Sequence, residues 1–255
     1  MATESTSAAK VVLITGASRG IGAATAVLAA QDGWDVAINC VRDTHAAEAV
    51  AQQVRDCGRR ALVVQADVSQ EDQVRRMFDQ VDQGLGPLAG LVNNAAVVDL
   101  TQRVDEMSAQ RLERMFAINV IGSFLCAREA VRRLSYRYGG KGGVIVNLSS
   151  AASRLGSPSQ YVDYAASKGA IDTFTVGLAR EVAGEGIRVN AIRPGIIDTE
   201  IHASSGMADV VQRLGPALPM GRAGRADEVA AAVVWLLSPQ CSYTTAAVLD
   251  VSGGR

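Results

Sequence analysis

Two tyrosines and one lysine stand close together in the segment SQYVDYAASKGA, residues 159–170. Tyr164 and Lys168 have the i, i+4 spacing that places two side chains on one face of a helix. Tyr161 has Ala165 at the same offset and therefore no cationic partner. A phenol has a pKa near ~10, and a fixed ammonium beside it lowers that pKa by favouring the phenolate. The pair could serve as a tyrosine acid and base, but on the spacing alone a solvated pair on a helix face is the favoured interpretation.

Serine and asparagine residues predicted to lie nearby favour the catalytic interpretation. Ser149 and Ser150 end the apolar run VIVNLSS, a predicted strand of a parallel sheet, and ligands bind at the carboxyl edge of such sheets. The helix that carries Tyr164 begins a few residues later, so a serine hydroxyl can face the phenol. Asn119 falls inside a predicted helix, where an amide is an indifferent choice, and this indicates a polar task such as holding a water near Lys168.

The glycine-rich stretch TGASRGIG, residues 15–22, follows an apolar run and opens a predicted helix. Gly16 permits a tight turn, while Gly20 and Gly22 leave no side chain between the backbone and a ligand. The free N–H groups and partial positive charge of a helix start suit a pyrophosphate. The spacing G-x-x-x-G-x-G departs from the commoner G-x-G-x-x-G, so an ordinary glycine-rich turn is the alternative to dinucleotide binding.

The end of the second predicted strand bears on which dinucleotide binds. NAD enzymes usually place an acidic residue there, for the ribose 2′-hydroxyl. This strand ends instead with Asn39 and Cys40, Arg42 follows, and Arg19 lies in the glycine loop. Two guanidinium groups suit a 2′-phosphate. We therefore favour NADP(H) and keep NAD(H) as possible, because Asp43 could pair with Arg42.

Short β-branched runs alternate with helical patterns along the whole chain, and this alternation predicts the elements that position the candidate residues. Runs that are apolar on both faces suit a parallel sheet covered by helices, so the fold class is α/β, a doubly wound parallel sheet of about seven strands with helices on both faces. Residues 1–9 are a predicted flexible N-terminal tail and residues 10–255 one domain. The predicted strands are 11–15, 35–39, 61–66, 89–95, 142–150, 187–192 and 246–251, and the predicted helices are 20–32, 44–57, a helix from a Ser69–Asp72 capping box to about 83, 108–137, 161–183 and 226–238.

Composition narrows the classes of partner. The 255 residues carry a net charge of −1, so a basic surface for nucleic acid or an anionic membrane is not predicted. No apolar run approaches the ~20 residues of a membrane helix, and the polar start MATESTSAAK does not resemble a signal peptide.

The cysteine and histidine content points to a reduced compartment and argues against a metal site. The four cysteines form no CxxC pair, so free thiols and a cytoplasmic location are expected. His45 and His202 lack metal-ligand spacing, so no metal is predicted.

Several motifs occur in the order typical of one enzyme family. The combination resembles the short-chain dehydrogenase/reductase family over nearly the whole chain, and within it the 3-oxoacyl-carrier-protein reductase-like and glucose 1-dehydrogenase-like members. The resemblance implies a Rossmann-type version of the predicted sheet. The motifs are TGASRGIG, NNAA at 93–96, Asn119, the serine after the fifth strand, YAASK at 164–168 and RPG at 193–195.

The resemblance implies a proton relay of Asn119, Ser150, Tyr164 and Lys168. Tyr164 would give a proton to the substrate oxygen while the nicotinamide delivers hydride. Ser150 would bind that oxygen, Lys168 would bind the nicotinamide ribose and lower the phenol pKa, and Asn119 would hold a relay water. Ser150 stands 14 residues before Tyr164 and Ser149 stands 15 before it, in a segment that looks one residue longer than in many relatives. We choose Ser150 as the active serine.

The resemblance also implies the remaining cofactor contacts. Asp67 and Val68 would lie at the adenine, Asn93 and Ala95 beside the cofactor, and four residues after the sixth strand at the nicotinamide amide. Ala96 stands where most relatives have glycine. The candidate cofactor-binding residues are Gly16, Ser18, Arg19, Gly20, Ile21, Gly22, Arg42, Asp67, Val68, Asn93, Ala95, Tyr164, Lys168, Pro194, Gly195, Ile197 and Thr199.

The substrate side is less defined by the sequence. Residues 198–221 are a predicted lid, and Ser150, Tyr161 and His202 are the candidate substrate contacts. The favoured function is an NADP(H)-dependent oxidoreductase for a carbonyl and a secondary alcohol. The alternatives are an NAD(H)-linked sugar dehydrogenase and a non-catalytic dinucleotide sensor. The resemblance further implies a homotetramer built through the long helices and the last strand.

Overall fold

The computed structural model describes residues 10–199 and 210–255. Its centre is a seven-stranded parallel sheet in the order β3-β2-β1-β4-β5-β6-β9, which confirms the predicted fold class. A separate two-stranded pairing of β7 and β8, which the sequence did not predict, lies after β6. The strands are β1 Val11–Ile14, β2 Asp35–Cys40, β3 Ala61–Gln65, β4 Leu88–Asn93, β5 Gly143–Leu148, β6 Ile187–Pro194, β7 Ile197–Asp198, β8 Gly224–Arg225 and β9 Val248–Val251.

Helices cover both faces of the sheet, and each face has its own apolar core. One core packs α1, α2 and α9 against the sheet, and the other packs α3, α5 and α7. The two cores account for the strand runs that are apolar on both faces. The helices are α1 Gly20–Gln31, α2 Thr44–Asp56, α3 Glu71–Gly84, α4 Ala109–Phe116, α5 Gly122–Leu134, α6 Ala152–Leu155, α7 Val162–Val182, α8 Val210–Leu214 and α9 Ala226–Leu237.

The direction of the strand order changes between β1 and β4. The chain proceeds from β1 through β2 to β3 on one side, and from β4 through β5 to β6 on the other. A crevice opens at such a switch point, outside the carboxyl ends of the strands. The glycine loop after β1 and the serines after β5 both lie at this edge.

Two local predictions differ from the structure. The helix predicted over 108–137 is divided, because a π-helical segment, Ala117–Ile121, stands between α4 and α5. The Ser69–Asp72 capping box is wrong, because the Ser69 hydroxyl donates to Asp67 Oδ1 at 2.8 Å and the N-cap of α3 is Gln70, whose side chain makes no cap hydrogen bond. Among the described residues, no helix is long and apolar enough to cross a membrane.

Candidate active site

A cleft of about 150 Å³ opens at the carboxyl edge of the sheet and contains the tyrosine and lysine singled out in the sequence. Its walls come from the segment after β5, the start of α7 and the turn after β6. Of the predicted site residues, those that line the cleft are Ile21, Ser150, Tyr161, Tyr164, Lys168, Pro194, Gly195, Ile197 and Thr199.

The two tyrosines occupy different places at the start of α7. Tyr161 is the N-cap residue of α7, and Tyr164 lies in its first turn. Their rings meet edge to face, with centroids 6.0 Å apart. The Ser150 hydroxyl acts on the pKa of Tyr164 and not on that of Tyr161. The structure therefore separates the phenol that meets the serine from the phenol that forms the neighbouring wall.

The two serines after β5 also have different partners. Ser149 is buried, and its hydroxyl donates to the main-chain oxygen of Lys168 at 3.1 Å. The Ser150 hydroxyl accepts from Ala152 N at 3.1 Å and reaches the Tyr164 phenol. This geometry favours Ser150 as the serine that works with the tyrosine and gives Ser149 a role in fixing α7 against β5.

Lys168 lies one helical turn beyond Tyr164 and is only 3% exposed. Its Nζ donates to the main-chain oxygen of Leu148 at 2.6 Å and lies 5.7 Å from the centroid of the Tyr164 ring. Burial lowers the pKa of Lys168 to about 8, and the negative charge of Asp172 opposes this shift. The ammonium is thus held at the end of β5 by one carbonyl in a poorly solvated position.

The pKa of Tyr164 differs from the sequence expectation. Burial raises it to about 12, the hydrogen bond from Ser150 opposes that shift, and the neighbouring Tyr161 adds to it. We expected the ammonium of Lys168 to lower this pKa. The structure gives the reason for the difference, because Lys168 points to Leu148 and the desolvation of the phenol dominates.

Asn119 lies in the π-helical segment and is 1% exposed. Its side-chain oxygen accepts from Val97 N at 2.8 Å, and its amide donates to Val97 O at 2.9 Å and to Ser167 Oγ at 3.2 Å. These bonds tie the chain after β4 to α7, one residue before Lys168. The side chain of Asn119 is therefore fully engaged with the protein.

The glycine loop is held in place by two asparagines. Gly16 has φ +61°, and a Cβ on it would lie 2.9 Å from Ala95 Cα. Its N–H donates to Asn39 Oδ1 at 3.1 Å, and its carbonyl accepts from Asn94 Nδ2 at 2.9 Å. Gly22 is as constrained, because a Cβ there would stand 2.5 Å from Asn94 Nδ2. Both positions therefore require glycine, and Ala95 packs against the loop at Gly16.

The start of α1 presents main-chain donors toward the cleft. Arg19 is its N-cap residue, and the Arg19 side chain makes no cap hydrogen bond to the first N–H groups of α1. Gly20 has φ +56°, and among the described residues a Cβ on it would meet Thr199, at 3.6 Å. Ser18 and Ile21 complete this turn, and Ile21 faces the cleft. These residues fit the pyrophosphate of a dinucleotide, which binds at such helix starts.

The structure shows which partner Asp43, in the segment after β2, binds. Its carboxylate caps α2 by accepting from Ala46 N at 2.9 Å, so it serves the helix and has no ion pair with Arg42. Within the part of the chain that the structure describes, the exposed Arg42 side chain makes no hydrogen bond or ion pair. Asn39 is fully buried, and its amide donates to Val64 O and Ala66 O. No carboxylate therefore ends β2.

Some predicted cofactor residues lie away from the lining of the cleft. Asn93 is 4% exposed, and its amide donates to Asn147 Oδ1 at 2.9 Å inside the core. Its neighbour Asn94 faces the cleft instead. Asp67 binds the Ser69 hydroxyl after β3, and Val68 is buried against Gly122.

Other lining residues were not predicted from the sequence. The most informative are Asn94, which bonds to the carbonyls of Thr15 and Gly16, and Arg255, which reaches the cleft from the chain after β9. The repeated asparagine in NNAA was a signal for Asn94, whereas nothing near Arg255 marked it. His202 and the rest of residues 200–209 of the predicted lid lie outside the described residues, which resume with α8 at Val210.

Comparisons with known proteins agree with this geometry. A family model described as enoyl-(acyl carrier protein) reductase matches residues 16–255. The chain is 54% identical over 245 residues to the uncharacterized oxidoreductase YgfF of Escherichia coli, covering 96% of this chain and 99% of that protein. It is 36% identical over 245 residues to glucose 1-dehydrogenase 2 of Bacillus subtilis, covering 96% and 94%.

A solved structure adds a cofactor to the comparison. The short chain dehydrogenase of Burkholderia cenocepacia in complex with NADP is 33% identical, covers 96% of this chain and 97% of its own, and has a TM-score of 0.88. Fold and relatives together define a Rossmann-type oxidoreductase that acts on alcohol and carbonyl groups. The chain belongs to the short-chain dehydrogenase/reductase family, which confirms the resemblance drawn from its motifs.

Proposed function

We propose that the protein is an NADP(H)-dependent oxidoreductase that interconverts a carbonyl and a secondary alcohol, with Tyr164 as general acid and base. The observation that carries this proposal is the convergence of Ser150, Tyr164 and Lys168 in one cleft beside the glycine loop, where the Ser150 hydroxyl acts on the pKa of the Tyr164 phenol. Lys168 lies on the same face of α7 and is buried. A solvated surface pair has neither the serine partner nor the cleft.

Bound NADP(H) would supply or accept the hydride. The first N–H groups of α1 and the backbone at Gly20 would hold its pyrophosphate, and the turn from Pro194 to Thr199 would meet the nicotinamide. The absence of a carboxylate at the end of β2 and the exposed Arg42 support NADP(H) over NAD(H). The NADP complex of the Burkholderia relative points in the same direction.

Three residues of the cleft would have different roles in substrate binding and proton transfer. Ser150 would donate a hydrogen bond to the substrate oxygen and orient it. Tyr164 would give its proton to that oxygen during reduction and remove it during oxidation. The Lys168 ammonium would bind the nicotinamide ribose and stabilise the phenolate that forms, and this requires that it keep its proton, which a pKa of about 8 allows at neutral pH.

Asn119 would hold the relay water through its main chain. Its side chain is occupied by Val97 and Ser167, so its main-chain oxygen is the group left for the task. That oxygen accepts the Ser123 hydroxyl at 3.1 Å and has a second lone pair. Asn119 lies in a π-helical segment, where the main-chain hydrogen bonds depart from the regular α-helical pattern.

Tyr164→Phe tests the proposed chemistry. We expect kcat/KM for ketone reduction to fall by about 10³-fold, within the range of general acid–base effects, while the NADPH dissociation constant changes by less than about twofold. Turnover is read as NADPH oxidation and binding as NADPH fluorescence. The matched control is Tyr243→Phe, because Tyr243 is fully exposed and outside the cleft. Near-normal turnover in Tyr164→Phe would contradict the mechanism.

An NAD(H)-linked sugar dehydrogenase is the second candidate, and its support is the 36% identity to glucose 1-dehydrogenase 2. A panel of carbonyl and alcohol substrates with both cofactors distinguishes it from the first. Binding of dinucleotide without turnover of any member of the panel would favour the sensor.

We also propose a homotetramer built through α5, α7 and β9. Phe124 on α5 is 47% exposed and stacks on Phe174 of α7, with centroids 3.7 Å apart. Ile121 beside it is also exposed, as are Trp235 on α9 and Leu249 on β9. Light scattering would give four times the 26.6 kDa chain mass if the proposal is correct.

A further inference from the structure

Among the described residues that line the cleft, the charged side chains are all cationic. Its lining contains the cations Lys168 and Arg255, and no aspartate or glutamate is present among the described residues that line it. Most of the other lining side chains are apolar or carry only a hydroxyl or an amide. An anionic group that entered this cleft would meet no aspartate or glutamate side chain among these described residues.

Arg255 is held at the cleft by its main chain. Its carbonyl accepts from Ser252 Oγ at 3.1 Å and from Arg154 Nη2 at 3.1 Å, and Arg154 also pairs with Asp250 at 3.4 Å. Gly195 brings this segment close to the turn after β6, because its N–H donates to Val251 O and a Cβ on it would lie 2.8 Å from Ser252 Cα. The backbone of Arg255 is thus positioned by contacts that leave its own guanidinium unused.

The guanidinium of Arg255 has no ion-pair partner within residues 10–199 and 210–255. Its positive charge acts on the Tyr161 phenol. Burial raises the pKa of Tyr161, and the charges of Arg255 and Arg213 oppose that shift. Tyr161 in turn meets the Tyr164 ring edge to face, at 6.0 Å between centroids. A cation, a phenol donor and the reacting tyrosine therefore follow one another along the same wall.

We propose that Arg255 and Tyr161 form an anion subsite. The substrate would then be an oxo acid or hydroxy acid in which the carboxylate and the reacting carbon are separated by about the width of one aromatic ring. This inference rests on the proposed function, since it names the substrate class of the same cleft. A guanidinium and a hydroxyl supply the donors that a carboxylate accepts. The apolar residues Val98, Leu155 and Ile196 suit a hydrocarbon skeleton between the two polar ends.

The test compares two ketones that differ in charge, 4-oxocyclohexanecarboxylate and 4-methylcyclohexanone. We expect wild-type kcat/KM to favour the carboxylate by at least about tenfold. In Arg255→Gln the ratio of the two values falls by about tenfold, mainly through the KM of the acid. Arg255→Lys keeps part of the preference, and Tyr161→Phe loses part of it. Arg75→Gln is the matched control, because Arg75 is exposed on α3 and outside the cleft.

A binding measurement keeps the subsite testable without turnover. Calorimetry of cyclohexanecarboxylate with the NADP⁺-loaded protein should show binding that Arg255→Gln weakens about tenfold and that added salt weakens as well. Turnover of both ketones without preference for the acid, or an unchanged ratio in Arg255→Gln, overturns the subsite and leaves the proposed function intact. Carboxylate binding through Arg255 without turnover of any carbonyl would overturn the proposed function and retain the subsite.

Discussion

The two halves of the cleft are built in different ways. The proposed cofactor half, residues 16–22 with Asn39 and Asn94, is fixed by amide and backbone hydrogen bonds between adjacent strands, and Gly16 and Gly22 have no room for a side chain. The proposed substrate half is assembled from distant segments, residues 96–98, 150–161, 195–199 and 252–255. The first half is specified by a short motif and tolerates little change. The second depends on side-chain contacts across the sequence, and its specificity can vary without loss of the fold.

The largest expected effect is a loss of stability on removal of the buried ion pair between Arg111 and Asp163, which supports the substrate half. Arg111 on α4 donates to both oxygens of Asp163, at 2.8 and 3.2 Å, and to Leu100 O, so it ties the chain after β4 to the residue before Tyr164. Asp163 is fully buried in its side chain. Arg111→Met leaves that carboxylate unpaired and should lower the free energy of unfolding by about 3–5 kcal/mol in urea denaturation.

The exposed pair Arg103–Asp105 is the matched control for Arg111→Met. Both of its side chains are more than 60% exposed, so Arg103→Met should cost less than about 1 kcal/mol. Adding Asp163→Asn to Arg111→Met should recover part of the loss, because the unpaired charge is removed. Equal losses in the buried and exposed variants would show that the ion pair does not hold the substrate half together.

Lys168 lies between the two halves of the cleft. Its titration is expected to make the free energy of unfolding depend on pH. Its pKa is lowered from 10.5 to about 8, so above pH 8 the folded state binds fewer protons than the unfolded state and stability rises with pH. Relative to Lys168→Met, the wild type should gain about 2–3 kcal/mol of unfolding free energy between pH 7.5 and 10. A stability difference that does not change over this range would show that the ammonium is well solvated.

A smaller effect is expected at the outer end of the cofactor half. Arg42→Ala should raise the KM for NADPH about tenfold relative to the KM for NADH, which corresponds to ~1.4 kcal/mol. Arg75→Ala on the exposed face of α3 is the control and should leave that ratio unchanged. Equal changes for both cofactors would show that Arg42 does not meet the 2′-phosphate.

The same contrast explains how far the sequence was informative. The sheet, the glycine loop and the tyrosine–lysine pair follow from patterns within a few residues, and the structure has them where the patterns predicted. The pKa of Tyr164 was not predictable, because it depends on burial and on the direction in which Lys168 points. Arg255 was not predictable either, because only the close approach of Ser252 to Gly195 brings it to the cleft. Contacts between distant segments carry little local signal.

The smallest expected effect concerns the backbone of the substrate half. Ser159 has φ +57°, in the left-handed region that costs a non-glycine residue about 1–2 kcal/mol, and it is exposed. Ser159→Gly removes that strain but adds about 0.4–1 kcal/mol of chain entropy to the unfolded state. We therefore expect a net gain of roughly 0.5 kcal/mol in unfolding free energy by urea denaturation.

The control for Ser159→Gly is the same substitution at a serine with an ordinary backbone. Ser242 is exposed and has φ −61° and ψ −25°, so Ser242→Gly has only the entropic cost and should lower stability by about 0.5–1 kcal/mol. Opposite signs at the two positions would locate strain in the loop that carries Tyr161 toward the cleft. Losses at both positions would mean that the loop relaxes to an unstrained conformation, and the contrast with the rigid glycine loop would then lie in side-chain contacts alone.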